Sequence, residues 1–256
     1  MAITRDGTGS GKVSIQAALS CTITFTTNAS RHLVVAGSYE TASGTAPTVT
    51  DSASGSWAEK RKVASNGAGA GTEVATVIYS ENRAAITSVT LTWGNTTYAN
   101  FALDQWAGVI TSGSFDSQQS ADGVASTNAW GSDNLTNTDQ NCLIYGAAVA
   151  NDSANLPWTA PGGSWTEIFN EPDTTTKLAS EAIFQIASGS TGPFSATFTY
   201  TGMSSGSYAG ASTLVSFKPL LQAPVPTYAN TPRDDELIAL GSIVGPYSWV
   251  KPQSWF

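Results

Sequence analysis

The stretch Gly55-Ser56-Trp57-Ala58-Glu59 occurs a second time along the chain, as Gly163-Ser164-Trp165-Thr166-Glu167. Three further blocks recur in the same order: His32 to Gly37 as Asn141 to Gly146, Ser88 to Trp93 as Ser195 to Tyr200, and Tyr98 to Asn100 as Tyr208 to Gly210. All four repeats lie about 107–110 residues downstream, which is the signature of an internal repeat. The sequence therefore predicts a duplicated unit over residues 1–218, with halves at about 13–110 and 111–218.

The pattern within each half is that of β-strands. Residues 22–26 alternate threonine with Ile23 and Phe25, as a strand with one buried face does. Continuous apolar runs at residues 33–36 and 74–79 predict central strands that are covered on both faces. About six such segments in each half predict an all-β protein, an antiparallel β-sandwich of the jelly-roll or lectin-like kind. Two tandem immunoglobulin-like domains are the alternative. Residues 111–138, rich in Ser, Gly, Asp and Asn, are interpreted as the crossing between the halves.

Charge and hydropathy exclude several classes of partner. The 256-residue chain has a formal net charge of −8 and only 11 Lys and Arg residues, so it lacks the basic surface that a nucleic-acid phosphate backbone requires. No apolar run approaches the roughly 18 residues of a membrane span, and the N-terminus has no apolar signal segment. We therefore expect synthesis in a cytoplasm, with neither nucleic acid nor membrane as partner.

No catalytic constellation is evident. His32 is the only histidine, and no G-x-S-x-G motif surrounds a serine. Glu59 and Glu167 follow the repeated tryptophans, and that symmetric placement favours a structural role over the unequal carboxylates of a glycosidase. Cys21 and Cys142 occupy non-equivalent positions, which predicts buried free thiols. The sequence predicts a non-enzymatic protein without cofactor or metal.

The last 38 residues differ from the rest of the chain. Residues 219–256 hold six of the 11 prolines, which predicts an extended C-terminal arm. Thr231-Pro232 followed by acidic residues predicts the start of a short helix within it. Exposed aromatic and aliphatic side chains usually meet a partner. The predicted partner-binding residues are Leu237, Ile238, Tyr247, Trp249, Trp255 and Phe256.

Carbohydrate binding is the alternative reading of the aromatic residues. Trp57 and Trp165 share one repeated position and Trp93 falls at an alternating core position, whereas Trp130 and Trp158 fall in predicted loops. If exposed there, the two indoles form a stacking surface for sugar rings. They are the candidate carbohydrate-binding residues.

The strand pattern resembles a loose group of duplicated β-sandwich accessory proteins from tailed phages and bacteria. The resemblance covers about residues 14–219. It rests on Leu33-Val34-Val35, the two Trp-x-Glu strands, the alternation from Ser195 to Tyr200, and Leu214 to Pro219. It implies a sandwich fold and a virion surface or accessory role, and it implies no catalytic residue.

These observations together predict a structural protein of a bacteriophage virion. Its expected role is capsid decoration or reinforcement, with attachment through the C-terminal arm and assembly in the host cytoplasm. The expected partners are capsid or tail subunits, with self-association and host surface glycans left open. A carbohydrate-binding, adhesin-like module of a tail or fibre and tandem immunoglobulin-like adhesion domains are the alternatives.

Overall fold

A computed structural model describes residues 2–6, 11–64, 72–125, 129–131, 134–150, 158–159, 161–171, 178–200 and 208–220. All regular secondary structure in these ranges consists of β-strands, so the all-β prediction is confirmed. The strands are β1 Thr4–Arg5, β2 Gly11–Thr24, β3 Arg31–Thr41, β4 Thr48–Asp51, β5 Ala58–Val63, β6 Thr72–Arg83, β7 Ser88–Ala107, β8 Phe115–Ala125, β9 Ala129–Gly131, β10 Leu143–Ala150, β11 Trp158–Thr159, β12 Thr166–Glu171, β13 Ala179–Ile186, β14 Thr197–Tyr200 and β15 Tyr208–Phe217. The helix predicted after Thr231 lies outside the described residues.

The first half is organised around β7. Residues 88–92 of β7 pair with residues 20–24 of β2 on one edge and with β4 on the other. Farther along β7, residues 98–106 pair with β3 on one side, and residues 99–103 pair with the first residues of β2 on the other side. Bulges around Ala18 interrupt the β2–β7 ladder between these parts, and Ala17 has a positive φ of 50°. Since a bulge bends a strand, the seven-stranded sheet curls into two layers.

The second half uses two separate sheets. The larger has five antiparallel strands in the order β12-β13-β10-β15-β8, and the smaller has three in the order β11-β14-β9. The first half contains the same arrangement, since its layers run β2-β7-β3-β6-β5 and β2-β7-β4. Each half is therefore a sandwich of one five-stranded and one three-stranded layer. The jelly-roll form and the duplication itself stay predictions.

The two halves share an apolar core, here called the inter-half core. It joins the five-stranded layer of the first half to that of the second. Its members include Val34, Ala36, Val77 and Trp106 from one layer, and Tyr145, Ala147, Val215 and Phe217 from the other. Burial of each large apolar side chain stabilises the fold by about 1.5–3 kcal/mol. The halves therefore pack back to back rather than as separate beads.

Two outer cores lie within the halves. In the first half, β2 and the start of β7 supply Cys21, Ile23, Val89 and Leu91, which pack on Leu33, Val35, Ile78 and Leu103. In the second half, Ile144, Ala148, Ile183 and Leu214 pack on Leu135, Trp158, Ala196 and Phe198. Central strands are thus buried on both faces, which explains the continuous apolar runs at residues 33–36 and 74–79.

The interpretation of residues 111–138 as a crossing was wrong. This region contains β8, which pairs with β15 along ten residue pairs, and β9. The strand reads Phe-Asp-Ser-Gln-Gln-Ser-Ala-Asp-Gly-Val-Ala and lacks apolar alternation. It lies at the edge of its sheet, and residues 115–121 are half-buried, so polar side chains are tolerated there.

The contacts divide the chain into two units, Met1–Leu221 and Gln222–Phe256, and the second lies outside the described residues. Among the residues that the structure describes, no helix has the length and hydrophobicity that a membrane span requires.

Gly37 allows close approach between β3 and β7. It stands opposite Phe101, and a Cβ atom on Gly37 would lie 2.0 Å from the carbonyl oxygen of Asn100. Gly146 holds the corresponding central position in β10, where a Cβ would lie 2.8 Å from side-chain atoms of Ile183 and Leu214. The first clash is with backbone and cannot be relieved by a rotamer change.

We expect Gly37→Ala to lower the free energy of unfolding by roughly 1–3 kcal/mol or more, because β3 and β7 must separate to admit the methyl group. Gly94→Ala is the control, since nothing lies within 4 Å of its Cβ position, and it should change stability by at most about 0.5 kcal/mol. Urea denaturation measures both. Equal stability of the two variants would refute the close approach.

Candidate functional site

The predicted partner-binding residues, Leu237, Ile238, Tyr247, Trp249, Trp255 and Phe256, lie outside the described residues. Their role therefore stays a prediction. The structure does describe the residues from which this segment departs, at the end of β15.

The segment Lys218 to Leu220, here called the root, is bound to the loop of residues 108–114. Three backbone hydrogen bonds join them: Ile110 N donates to Lys218 O at 3.1 Å, Lys218 N to Ser114 O at 2.7 Å, and Leu220 N to Gly108 O at 2.6 Å. Val109 and Pro219 form a β-bridge between these bonds. The start of the predicted arm is thus fixed to the body by its backbone.

The candidate carbohydrate-binding residues do not lie in loops, which corrects the prediction. Trp130 belongs to β9 and Trp158 to β11. Trp158 is 3% exposed and packs edge-on against Phe198, with 6.4 Å between ring centroids. Trp158 therefore belongs to the outer core of the second half and offers no exposed face for a sugar ring to stack on. Nothing is described of the Trp130 side chain.

A buried polar chain crosses the inter-half core. Trp106 Nε1 donates to Tyr145 Oη at 2.5 Å, and Tyr145 Oη donates to Asp104 Oδ2 at 2.9 Å. Arg5 Nη2 donates to Asp104 Oδ1 at 2.7 Å, and its guanidinium lies 5.4 Å from the ring centroid of Phe184. Because Asp104 is 1% exposed, its carboxylate depends on these partners. Burial raises the pKa of Tyr145 well above its usual value, so its hydroxyl remains a donor.

A second polar link lies on the same sheets. The hydroxyl groups of Ser38 and Ser180 hydrogen-bond to each other across the halves. Asn100 Nδ2 donates to Ser180 Oγ and to the carbonyl of Leu178, both at 3.0 Å. Buried polar side chains on β3 and β7 of the first half therefore find their hydrogen-bond partners in the second half. Two independent links of this kind fix how the layers face each other.

His32 is buried beside the inter-half core, against two of its aromatic rings. Its ring lies 4.6 Å from the ring centroid of Phe217 and 5.8 Å from that of Tyr79. Neither ring nitrogen has a hydrogen-bond partner among the described residues. Burial lowers the pKa of His32 to about 3, against the attraction of the Glu81 carboxylate. The imidazole is therefore neutral at pH 7.

Glu181 is the most unusual ionisable group among the described residues. It is fully buried on β13, and neither carboxyl oxygen has a hydrogen-bond partner in that part of the chain. Burial, together with the charge of Glu167, raises its pKa to about 8. Asn170, its register partner on β12, donates instead to Glu167 Oε2 at 3.1 Å and to the carbonyl of Trp158 at 2.8 Å. The carboxyl group is therefore protonated at pH 7.

Glu59 and Glu167, the acidic residues of the repeated Trp-x-Glu stretch, lie on different sheets. They lie in β5 and β12, which are edge strands of different sheets. Glu59 accepts hydrogen bonds from Tyr39 Oη at 3.2 Å and Thr76 Oγ1 at 2.9 Å, with Arg61 Nη1 3.7 Å away. Burial is the main cause of its raised pKa. These bonds cross-link β3, β5 and β6, which is a structural use of the carboxylate.

Cysteine chemistry and metal binding find no support in the described ranges. Cys21 and Cys142 are free and buried, as predicted, and burial raises the pKa of each thiol to about 12. A thiol with such a pKa is a poor nucleophile at pH 7. No cluster of three or more His, Cys, Asp or Glu side chains is arranged to hold a metal ion in those ranges.

Several of these residues were missed in the sequence. Asp104 and Glu181 are single acidic residues within otherwise apolar strand segments, and that isolation is the signal that marks them.

A scan against protein-family models, a search of curated proteins and a search of solved structures each found no match to this chain.

We expect Glu181→Gln to remove a pH-dependent loss of stability. The folded-state pKa of about 8 exceeds the ordinary value of 4.5, so unfolding releases a proton as the pH rises through this window. The unfolding free energy of the wild type should therefore fall between these pH values, by at most about 1.4 kcal/mol per unit from this group. In urea denaturation at several pH values, the variant should show a flatter dependence of the unfolding free energy on pH than the wild type. An unchanged slope in Glu181→Gln would contradict the assignment.

His32 should produce the opposite dependence. Its folded-state pKa of about 3 lies below the ordinary 6.5, so its contribution is present above pH 6.5 and is lost as the pH falls toward 3. We expect His32→Gln to lose less stability than the wild type between about pH 6.5 and 5, before most carboxylates titrate. Since His32 is the only histidine, no second imidazole obscures the comparison. If the unfolding free energies of the two proteins change equally with pH in this range, the imidazole is charged or exposed in the folded protein.

Proposed function

We propose that the protein is a non-enzymatic structural component of a bacteriophage virion. In this proposal it decorates or reinforces the capsid, and the segment from residue 219 onward attaches it to neighbouring capsid or tail subunits. The observation that carries the proposal is the root, because Lys218 to Leu220 is bonded directly to the loop of residues 108–114.

The internal chemistry of the body also supports a structural role. Asp104 and Glu59 are both used in hydrogen bonds that connect strands or layers. The imidazole of His32 is enclosed by aromatic rings. A catalytic acid or base requires access to a substrate atom, and these groups are buried or committed to internal bonds instead.

We further propose that the two halves descend from one duplicated jelly-roll or lectin-like unit. The repeated blocks support this, together with the equal strand orders of the two halves. A duplicated sandwich that packs on its own copy buries a surface that each unit alone would expose to water. This arrangement suits a protein that withstands assembly and release of a particle in the host cytoplasm.

Truncation after Leu220 tests the attachment. We expect the shortened protein to fold, with a melting temperature within a few degrees of the full chain, because the inter-half core lies between residues 3 and 217. It should fail to bind particles of the phage that encodes it when those particles lack the protein. Co-sedimentation measures the association, and the full-length variant Leu19→Ser, altered at an exposed residue of the body, is the control.

Full incorporation of the truncated protein would show that the body itself carries the attachment surface. Loss of binding in both the truncated protein and Leu19→Ser would implicate the body as well.

A further inference from the structure

A cleft of about 530 Å³ opens on the first half, where β5 begins and β6 ends. Its size is within the range of about 300–1,000 Å³ that is typical of small-molecule sites. The lining combines aromatic rings with polar side chains, among them Trp57, Tyr79, Ser80, Glu81, Asn82 and Arg83. It contains none of the residues predicted from the sequence as binding residues.

The Asp51 carboxylate holds two walls of the cleft in place. Its side chain is fully buried, and it accepts hydrogen bonds from Trp57 Nε1 at 2.8 Å and from Arg83 Nη2 at 2.9 and 3.0 Å. The guanidinium also lies against Gly55, where a Cβ atom would be only 1.8 Å from Arg83 Cζ. The indole and the guanidinium are therefore positioned before any ligand arrives, which lowers the entropic cost of binding.

The charged side chains of the cleft have hydrogen-bond partners within the protein, and Glu81 keeps its negative charge. Asp51 neutralises Arg83, and the Glu81 oxygens accept hydrogen bonds from Gly113 N at 3.0 Å and Ser114 N at 2.6 Å. Burial opposes ionisation of Glu81, but these hydrogen bonds keep its pKa below the usual value. An anionic ligand would therefore meet the charge of Glu81 without a free cation to pair with.

Asn82 supplies an exposed amide beside the aromatic rings. It is the exposed residue at the end of β6, and its φ of 45° is one that asparagine tolerates better than most residues. An amide can donate and accept at once, as the adjacent hydroxyl groups of a sugar require. A half-buried indole next to it offers an apolar surface for the C–H face of a sugar ring.

We propose that this cleft binds a neutral glycan, with a sugar ring against Trp57 and hydroxyl groups bonded to Asn82 and Glu81. The site is independent of the attachment proposed for the C-terminal segment. It would allow the protein to contact a surface polysaccharide while the particle carries it.

The test uses the full chain on an array of neutral oligosaccharides, followed by calorimetric titration of the strongest binder. We expect Asn82→Gly, which keeps the positive φ, to weaken binding roughly tenfold or more. Thr111→Phe should also weaken it, because Thr111 lines the cleft and a ring there fills it. The matched control is Asn141→Gly, an exposed asparagine with φ 61° in the second half, which should bind like the wild type.

Salt dependence separates the ligand classes. Affinity for a neutral glycan should change little between about 0.05 and 0.5 M salt, because no ion pair forms. Absence of binding to every neutral oligosaccharide would overturn the proposal. Unchanged affinity in both Asn82→Gly and Thr111→Phe would also overturn it, as would binding of charged sugars alone with strong salt sensitivity.

Discussion

The packing of the two five-stranded layers against each other is the constraint on which the rest of the structure depends. Their shared core encloses Asp104, whose burial would be costly without Arg5 and Tyr145 as partners. Arg5 pairs with Asp104 within the first half, whereas Tyr145 belongs to the second half, so Asp104 Oδ2 receives the hydrogen bond of Tyr145 only when the layers face each other in one register. Apolar burial drives the association, and the polar chain selects its geometry.

The loop of residues 108–114 connects this body to both proposed functions. Its backbone bonds the root at Lys218 and Leu220, while its amides at Gly113 and Ser114 bond Glu81 in the cleft wall. The root and the wall of the proposed cleft are therefore both hydrogen-bonded to the same loop.

The sequence predicted the strands whose side chains repeat an apolar pattern, and it failed where burial is decided by long-range packing. Continuous apolar runs identified β3 and β6, because their side chains face a core on both sides, and alternation identified the end of β2, where Ile23 faces one core. It missed β8, a polar edge strand that β15 holds in place. Trp158 was taken for a loop residue because no local pattern shows that Phe198 covers it. Asp51, which anchors the cleft, could not be assigned a role because its partner Arg83 is 32 residues away.

Calorimetric unfolding of the full chain tests the shared core most directly. If the halves depend on one inter-half core, residues of both should unfold in a single transition whose calorimetric and van't Hoff enthalpies agree. Tyr145→Phe, which removes the hydroxyl that bridges Trp106 and Asp104, should move that whole transition to lower temperature. Two resolved transitions, with Tyr145→Phe shifting only one of them, would show that the halves are independent domains and would contradict this account.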